Sequence, residues 1–217
     1  VVFAHGWNSD PGHYATLLEA WAAAGDVVAA PVLPDSTDLG PSDPVSNYPA
    51  QAQDLSFVIT SLLTELAGQV DPDRVAVAGH SDGGTDVALL ALDPAFADLR
   101  IRAYLCLAGE IPEQLPGPWD ARTTGALLVA AGTDDEYGLY PRAAQVLATA
   151  QIPAKVMVSL AGGDHLGTFV DPGAGPDAMR SATVRFLSAA LGPRPPTTAG
   201  LLAALQPTSD PALTVTG

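Results

Sequence analysis

The chain has 217 residues, 47% hydrophobic and 15% charged, with a mean hydropathy of +0.22. That balance fits one folded domain with a substantial core and excludes a disordered chain. A formal charge of −15 excludes binding to a phosphate backbone, which needs clustered cations, so nucleic acid is not an expected partner. No apolar run reaches the roughly 20 residues of a membrane-spanning helix. A soluble protein is expected, either cytoplasmic or secreted with its targeting segment absent. The single cysteine, Cys106, has no partner for an internal disulfide and lies in an apolar run, where it reads as a small packed hydrophobe.

Val1 to Ala4 reads as a buried strand entering His5-Gly6-Trp7-Asn8. Because that strand begins at residue 1, one or two further strands are expected upstream of it. Asp10-Pro11 supplies an N-cap with proline at the first helical position, and His13, Tyr14, Leu17, Leu18 and Trp21 follow at helical spacing up to Gly25. Asp26 to Ala30 reads as a strand, and Pro31 to Pro49 as a long surface loop and a wall of the substrate site. From Gln51 to Leu66 the residues Leu55, Val58, Ile59, Leu62, Leu63 and Leu66 recur every three or four positions, which predicts an amphipathic helix.

Arg74 to Ala78 predicts a buried strand, and the Ala/Leu run after Thr85 a helix that ends near Asp93-Pro94. Between them stands Gly79-His80-Ser81-Asp82-Gly83, a Gly-x-Ser-x-Gly pattern at a strand-to-helix junction. A chain that turns from strand to helix across one residue needs little bulk two positions to either side, and Gly79 and Gly83 meet that need. Ser81 is the candidate nucleophile, lifted to the tip of the turn. Strands are predicted at Ile101 to Leu107, Ala126 to Ala131 and Lys155 to Leu160, and helices at Arg142 to Ala150 and Asp177 to Leu191. Gly109 to Gly125, with Trp119, is a long loop on the elbow's side of the sheet. Residues 1–191 form the catalytic domain; 192–217 add a Pro-rich linker, a short helix at Ala199 to Leu205 and an edge strand at Leu213 to Thr216. Strands that alternate with helices predict a mostly parallel sheet covered on both faces, with ligands at the carboxyl ends of the strands.

Ser81, an acid after a later strand and His165 after the last strand follow the chain order of a Ser-Asp-His triad. His165 would act as general base and then as acid toward the leaving group. The acid is Asp135 or its neighbour Asp134; Asp135 is preferred because the acid in folds with this triad commonly lies three residues beyond the strand-end glycine, here Gly132. The other histidines are weaker candidates, and His80, fixed inside the elbow, is expected to point away from the site. The N–H groups of Trp7 and Asp82 are the expected oxyanion donors. His5, Gly6 and Trp119 are expected to line the substrate. Asp82, Glu110, Asp134, Glu136 and Asp164 should converge on this end of the sheet.

The Val2 to Trp7 run, the Gly79 to Gly84 elbow, the Leu55 to Ile59 helix and the Gly162-Gly163-Asp164-His165 turn resemble the α/β-hydrolase superfamily. Within it they are similar to the bacterial dienelactone-hydrolase-like, chlorophyllase-like and cutinase- or polyester-hydrolase-like lipases. The resemblance implies an α/β-hydrolase fold without its first strands. It also implies a Ser81, Asp135, His165 triad cleaving small-molecule or lipid-like esters through an acyl-enzyme, without metal or organic cofactor. The chain departs from the secreted polyester hydrolases in three ways: it has one cysteine, Asp82 follows the nucleophile where an apolar residue is usual, and Ala108-Gly109-Glu110 stands where a tryptophan is usual. A catalytically silent scaffold used for binding, and a thioesterase or peptidase with the same triad, are the alternatives.

Overall fold

Short Val, Ala and Leu runs bounded by glycine or proline fold into a single sheet. The computed structural model describes residues 1–37, 47–121, 123–170, 177–206 and 210–217. Its strands are β1 (Val2–Ala4), β2 (Val75–His80), β3 (Ile101–Leu107), β4 (Ala126–Gly132), β5 (Ala154–Leu160) and β6 (Leu213–Thr216), in spatial order β1 to β6. The first five run parallel, and β6 closes one edge antiparallel to β5, with Leu213 opposite Leu160. Each parallel step needs a crossover, which the helices supply.

The helices are α1 (Ala15–Ala23), α2 (Tyr48–Glu65), α3 (Asp82–Leu92), α4 (Leu139–Thr149), α5 (Asp177–Ala190) and α6 (Thr198–Leu205). The period of two along the strands divides the core. Ala76, Ala78, Leu105, Leu128 and Val156 meet Trp21 of α1, Phe186 of α5 and Leu201 of α6. Val75, Val77, Tyr104, Cys106 and Val129 meet Leu55 of α2, Leu89 of α3 and Val146 of α4. Because the strands are buried on both faces, they read as near-continuous apolar runs. α3 is buried from Gly83 to Leu92, since it lies between the sheet and α2. Trp21 Nε1 donates to Thr183 Oγ1 at 2.9 Å, which joins α1 to α5 and satisfies the one polar atom of a fully buried indole.

Several boundaries differ from expectation. The first helical segment opens as a 3-10 turn over Pro11–Tyr14, capped by Asp10, whose Oδ1 accepts from the Gly12 N–H at 2.7 Å, before α1 begins at Ala15. The strand expected at 26–30 reduces to a single bridge, Ala29 against Val2, with N–H···O distances of 2.8 and 2.9 Å. Pro31, which has no N–H to extend that pairing, follows at once. α2 begins at Tyr48 with Pro49 in its first turn, where a missing N–H costs nothing. Of the loop expected at 31–49, residues 38–46 lie outside the described residues. Among the described residues no helix is long and apolar enough to cross a membrane.

Candidate active site

The elbow is built by close backbone approach. A Cβ on Gly79 would stand 2.1 Å from the Gly83 carbonyl oxygen, and one on Gly83 2.2 Å from that of Ala4, so neither position admits a side chain. Between them Ser81 adopts φ 57°, ψ −119°, a conformation that L-residues rarely hold. The Ser81 N–H donates to Leu107 O at 2.9 Å and its carbonyl accepts from the Thr85 N–H at 3.0 Å, which ties the tip to β3 and to the first turn of α3.

After β4, the carboxylate of Asp135 is fully enclosed. Its Oδ1 accepts from the N–H groups of Tyr137 and Leu139 at 3.0 and 3.3 Å, and its Oδ2 lies 2.7 Å from His165 Nδ1. The adjacent Asp134 is exposed, and its Oδ1 accepts from Thr133 Oγ1 at 3.0 Å. It is therefore Asp135 that meets the imidazole. With its Nδ1 proton directed at that carboxylate, His165 keeps Nε2 free to take or give a proton. The imidazole is held beside the elbow: the ring of His80, next to Ser81 in the chain, lies 4.6 Å from it, centroid to centroid. The Glu136 carboxylate accepts the His165 backbone N–H at 3.0 Å and fixes the loop.

The loop after β1 lies against Ser81, since a Cβ on Gly6 would approach Ser81 Cβ to 3.2 Å. Neither the Trp7 nor the Asp82 N–H makes a hydrogen bond among the described residues. Asp82 is the first residue of α3, so its N–H also lies at the positive end of that helix. The Asp82 carboxylate accepts from Tyr48 Oη at 3.0 Å, and burial pushes its pKa up to about 6.

Other expectations require correction. His5 was expected to line the substrate, yet it has no exposed surface and both ring nitrogens are engaged: Nδ1 donates to Gly6 O at 2.9 Å and Nε2 accepts from the Leu33 N–H at 2.9 Å. It braces the loop from behind. Trp119 is half-buried and packs against the core cluster around α2, α3 and α4. His80, expected to point away, faces His165 instead. Of the acidic side chains, Glu110 pairs with Arg142, and Asp164 Oδ1 accepts the Gly167 N–H at 2.6 Å.

Sequence reasoning missed Tyr137, two residues beyond Asp135. Its ring stands edge-on to His165 at 4.8 Å and is 66% exposed. With Trp7, 48% exposed, and Leu166, 51% exposed, it leaves apolar surface on three of the strand-end loops that carry the site. The position of Tyr137 in that loop was the available signal. Tyr14 and Tyr48 were also missed, since nothing local in the sequence links them to His80 or Asp82.

A mostly parallel sheet covered on both faces, with a strained serine turn between its second strand and third helix, is the fold of an α/β hydrolase. The family model described as Chlorophyllase matches residues 1–109, half of the chain, and the chain belongs to that family of α/β-hydrolase type. No curated protein matches it.

Proposed function

We propose that the chain is a serine hydrolase that cleaves carboxylic esters through an acyl-enzyme. The observation that carries this reading is the enclosed 2.7 Å contact between Asp135 Oδ2 and His165 Nδ1, on an imidazole held beside the elbow that lifts Ser81. Membership of a hydrolase family supports it. In the first step Ser81 Oγ attacks the ester carbonyl carbon while His165 Nε2 takes the hydroxyl proton. Asp135 holds the imidazole in the tautomer this requires and stabilises the cation that forms. The carbonyl oxygen, now negative, is received by the N–H groups of Trp7 and Asp82. Collapse of the tetrahedral adduct breaks the C–O bond, and His165 returns the proton to the departing alkoxide. Water then attacks the acyl-serine by the same route and releases the acid. Trp7, Tyr137 and Leu166 favour an apolar, lipid-like ester.

The test is labelling with a fluorophosphonate, located by mass spectrometry, together with hydrolysis of short-chain nitrophenyl esters. Ser81→Ala is expected to abolish labelling and to lower kcat by at least about 10³-fold. A wild-type protein that neither labels nor hydrolyses would instead be a silent scaffold. Matched esters, thioesters and amides separate an esterase from a thioesterase or peptidase.

A further inference from the structure

Two buried side chains outside the triad connect its parts. The Gly6 N–H donates to Tyr14 Oη at 3.1 Å, Tyr14 Oη lies 3.0 Å from His80 Nδ1, and His80 Nε2 lies 3.2 Å from the carbonyl oxygen of His165. Tyr14 and His80 are each only 1% exposed, so solvent does not offer either of them a competing partner. The direction of every bond follows from valence. A carbonyl oxygen can only accept, so a neutral His80 carries its ring proton on Nε2 and donates it to His165 O, which leaves Nδ1 bare. The Tyr14 hydroxyl therefore donates to Nδ1 while its oxygen accepts the Gly6 N–H.

We infer that Tyr14 and His80 are positioning residues that lock the oxyanion loop at Gly6 and the base loop at His165 to the nucleophile elbow through this single ordered chain. The inference rests on the serine-hydrolase reading above. His80 precedes Ser81, so the elbow is the fixed centre of the chain, with one loop held on each side. Phe169 packs on the His80 ring at 5.1 Å and Phe3 on the Tyr14 ring at 4.8 Å, which leaves neither ring room to swing. Because the Gly6 N–H is engaged by Tyr14, the next amide in the loop, Trp7, is the one left to face a substrate oxygen. A doubly protonated His80 would set a proton against the Tyr14 hydroxyl. Burial, with His165 adding to it, holds the pKa of His80 down to about 3, so the order persists at neutral pH.

The experiment compares Tyr14→Phe, His80→Leu and His80→Gln with wild type, and uses the core variant Leu201→Ala as a control for loss of stability. If the chain positions the loops, Tyr14→Phe lowers kcat about tenfold with KM within about twofold, the scale of one misplaced hydrogen bond in a transition state. His80→Leu lowers it further. His80→Gln, whose amide keeps one acceptor and one donor, recovers most of the rate, and Leu201→Ala lowers Tm without lowering kcat. Wild-type kcat in Tyr14→Phe overturns the inference. Nitrogen-resolved NMR on the wild-type protein tests it without turnover or a variant that must fold. The expected result is a proton on His80 Nε2, a bare Nδ1 and a Gly6 amide protected from exchange. A proton on Nδ1 overturns the inference. A wild-type protein with no labelling or hydrolysis but with this NMR pattern overturns the proposed function and leaves the chain of bonds standing.

Discussion

Asp135 and Asp134 differ by one position in the chain and by their whole environment. Asp135 accepts two backbone N–H groups and the imidazole inside the protein, whereas Asp134 holds a neighbouring hydroxyl in solvent. Asp135→Asn presents an amide N–H or a poorer acceptor to His165 Nδ1 and disturbs the tautomer that the proposed mechanism needs. It is expected to lower kcat by about 10³- to 10⁴-fold, with Asp134→Asn within about twofold of wild type. The reverse ranking in ester hydrolysis would move the acid to Asp134. Gly6 offers a second test at the same scale. Its Cβ would meet Tyr14 Oη at 3.1 Å and Ser81 Cβ at 3.2 Å, and neither can retreat: one is bonded to His80 and the other sits on the strained elbow. Gly6→Ala should therefore displace the loop that carries the Trp7 N–H, lowering kcat about tenfold while KM changes little. Unchanged kcat would show that the loop yields without moving that N–H. Ser81, His165 and the Asp135/Asp134 choice were legible because local glycine and strand-end patterns mark them. The bonds of Tyr14 to His80 and Tyr48 to Asp82 were not, because they span 66 and 34 residues of chain and only folding sets them side by side.

At the scale of the element, α3 contains a conflict. Asp82 and Asp86 stand one turn apart, and Asp82 Oδ2 and both Asp86 carboxylate oxygens lack a hydrogen-bond partner among the described residues. Gln51 Oε1, on the covering α2, is orphaned in the same way. Burial, reinforced by Asp82 and Asp54, raises the pKa of Asp86 well above the usual carboxylate range, and that of Asp82 reaches about 6. In the unfolded chain both would titrate near 4. Between about pH 4 and 6, then, the folded form holds protons that the unfolded form has released, and stability falls as pH rises through that window. Asp86, raised by the same cause, adds to the fall in the same direction. Asp86→Asn removes a buried acid whose charged form the fold disfavours and places an amide donor among orphaned acceptors. It should raise Tm at pH 8 by about 4 °C and flatten the decline between pH 5 and 8, as read by thermal melts. A Tm that drops equally at both values would mean that Asp86 is held by packing alone. Sequence patterning could not show this conflict. The apolar period of α3 is consistent with an ordinary amphipathic helix, and only the arrival of α2 over its outer face buries the two acids. The same limit affected the boundaries. Strands and helices were legible from periods of two and 3.6, whereas the bridge at Ala29 and the start of α2 at Tyr48 depend on which partner lies alongside.

Over the whole molecule the charge is strongly negative, and several of its few cations are engaged in bonds. At the amino ends of the strands Arg74 bonds Leu191 O, Arg100 pairs with Asp98, and Lys155 caps the last carbonyls of α4 at Leu147 and Ala150. At the carboxyl ends, where the site lies, Asp134, Glu136 and Asp164 are exposed, and Arg142 is paired with Glu110. On a chain of net charge −15, the mouth of the site therefore faces solvent with a negative field. A carboxylate-bearing ester should be hydrolysed with lower kcat/KM than a neutral ester of the same shape. The cause would be long-range repulsion, so the gap should depend on salt. At about 0.01 M ionic strength the screening length is about 30 Å and spans the mouth; at about 1 M it is about 3 Å and does not. The neutral-to-anionic ratio of kcat/KM is expected to shrink several-fold between these conditions, mainly through faster reaction of the anionic ester. Asp134→Asn with Asp164→Asn, which keeps each side chain's acceptor while removing two charges, should narrow the low-salt gap and leave the high-salt ratio alone. A ratio that ignores both salt and the double substitution would assign the discrimination to the shape of the apolar surface formed by Trp7, Tyr137 and Leu166.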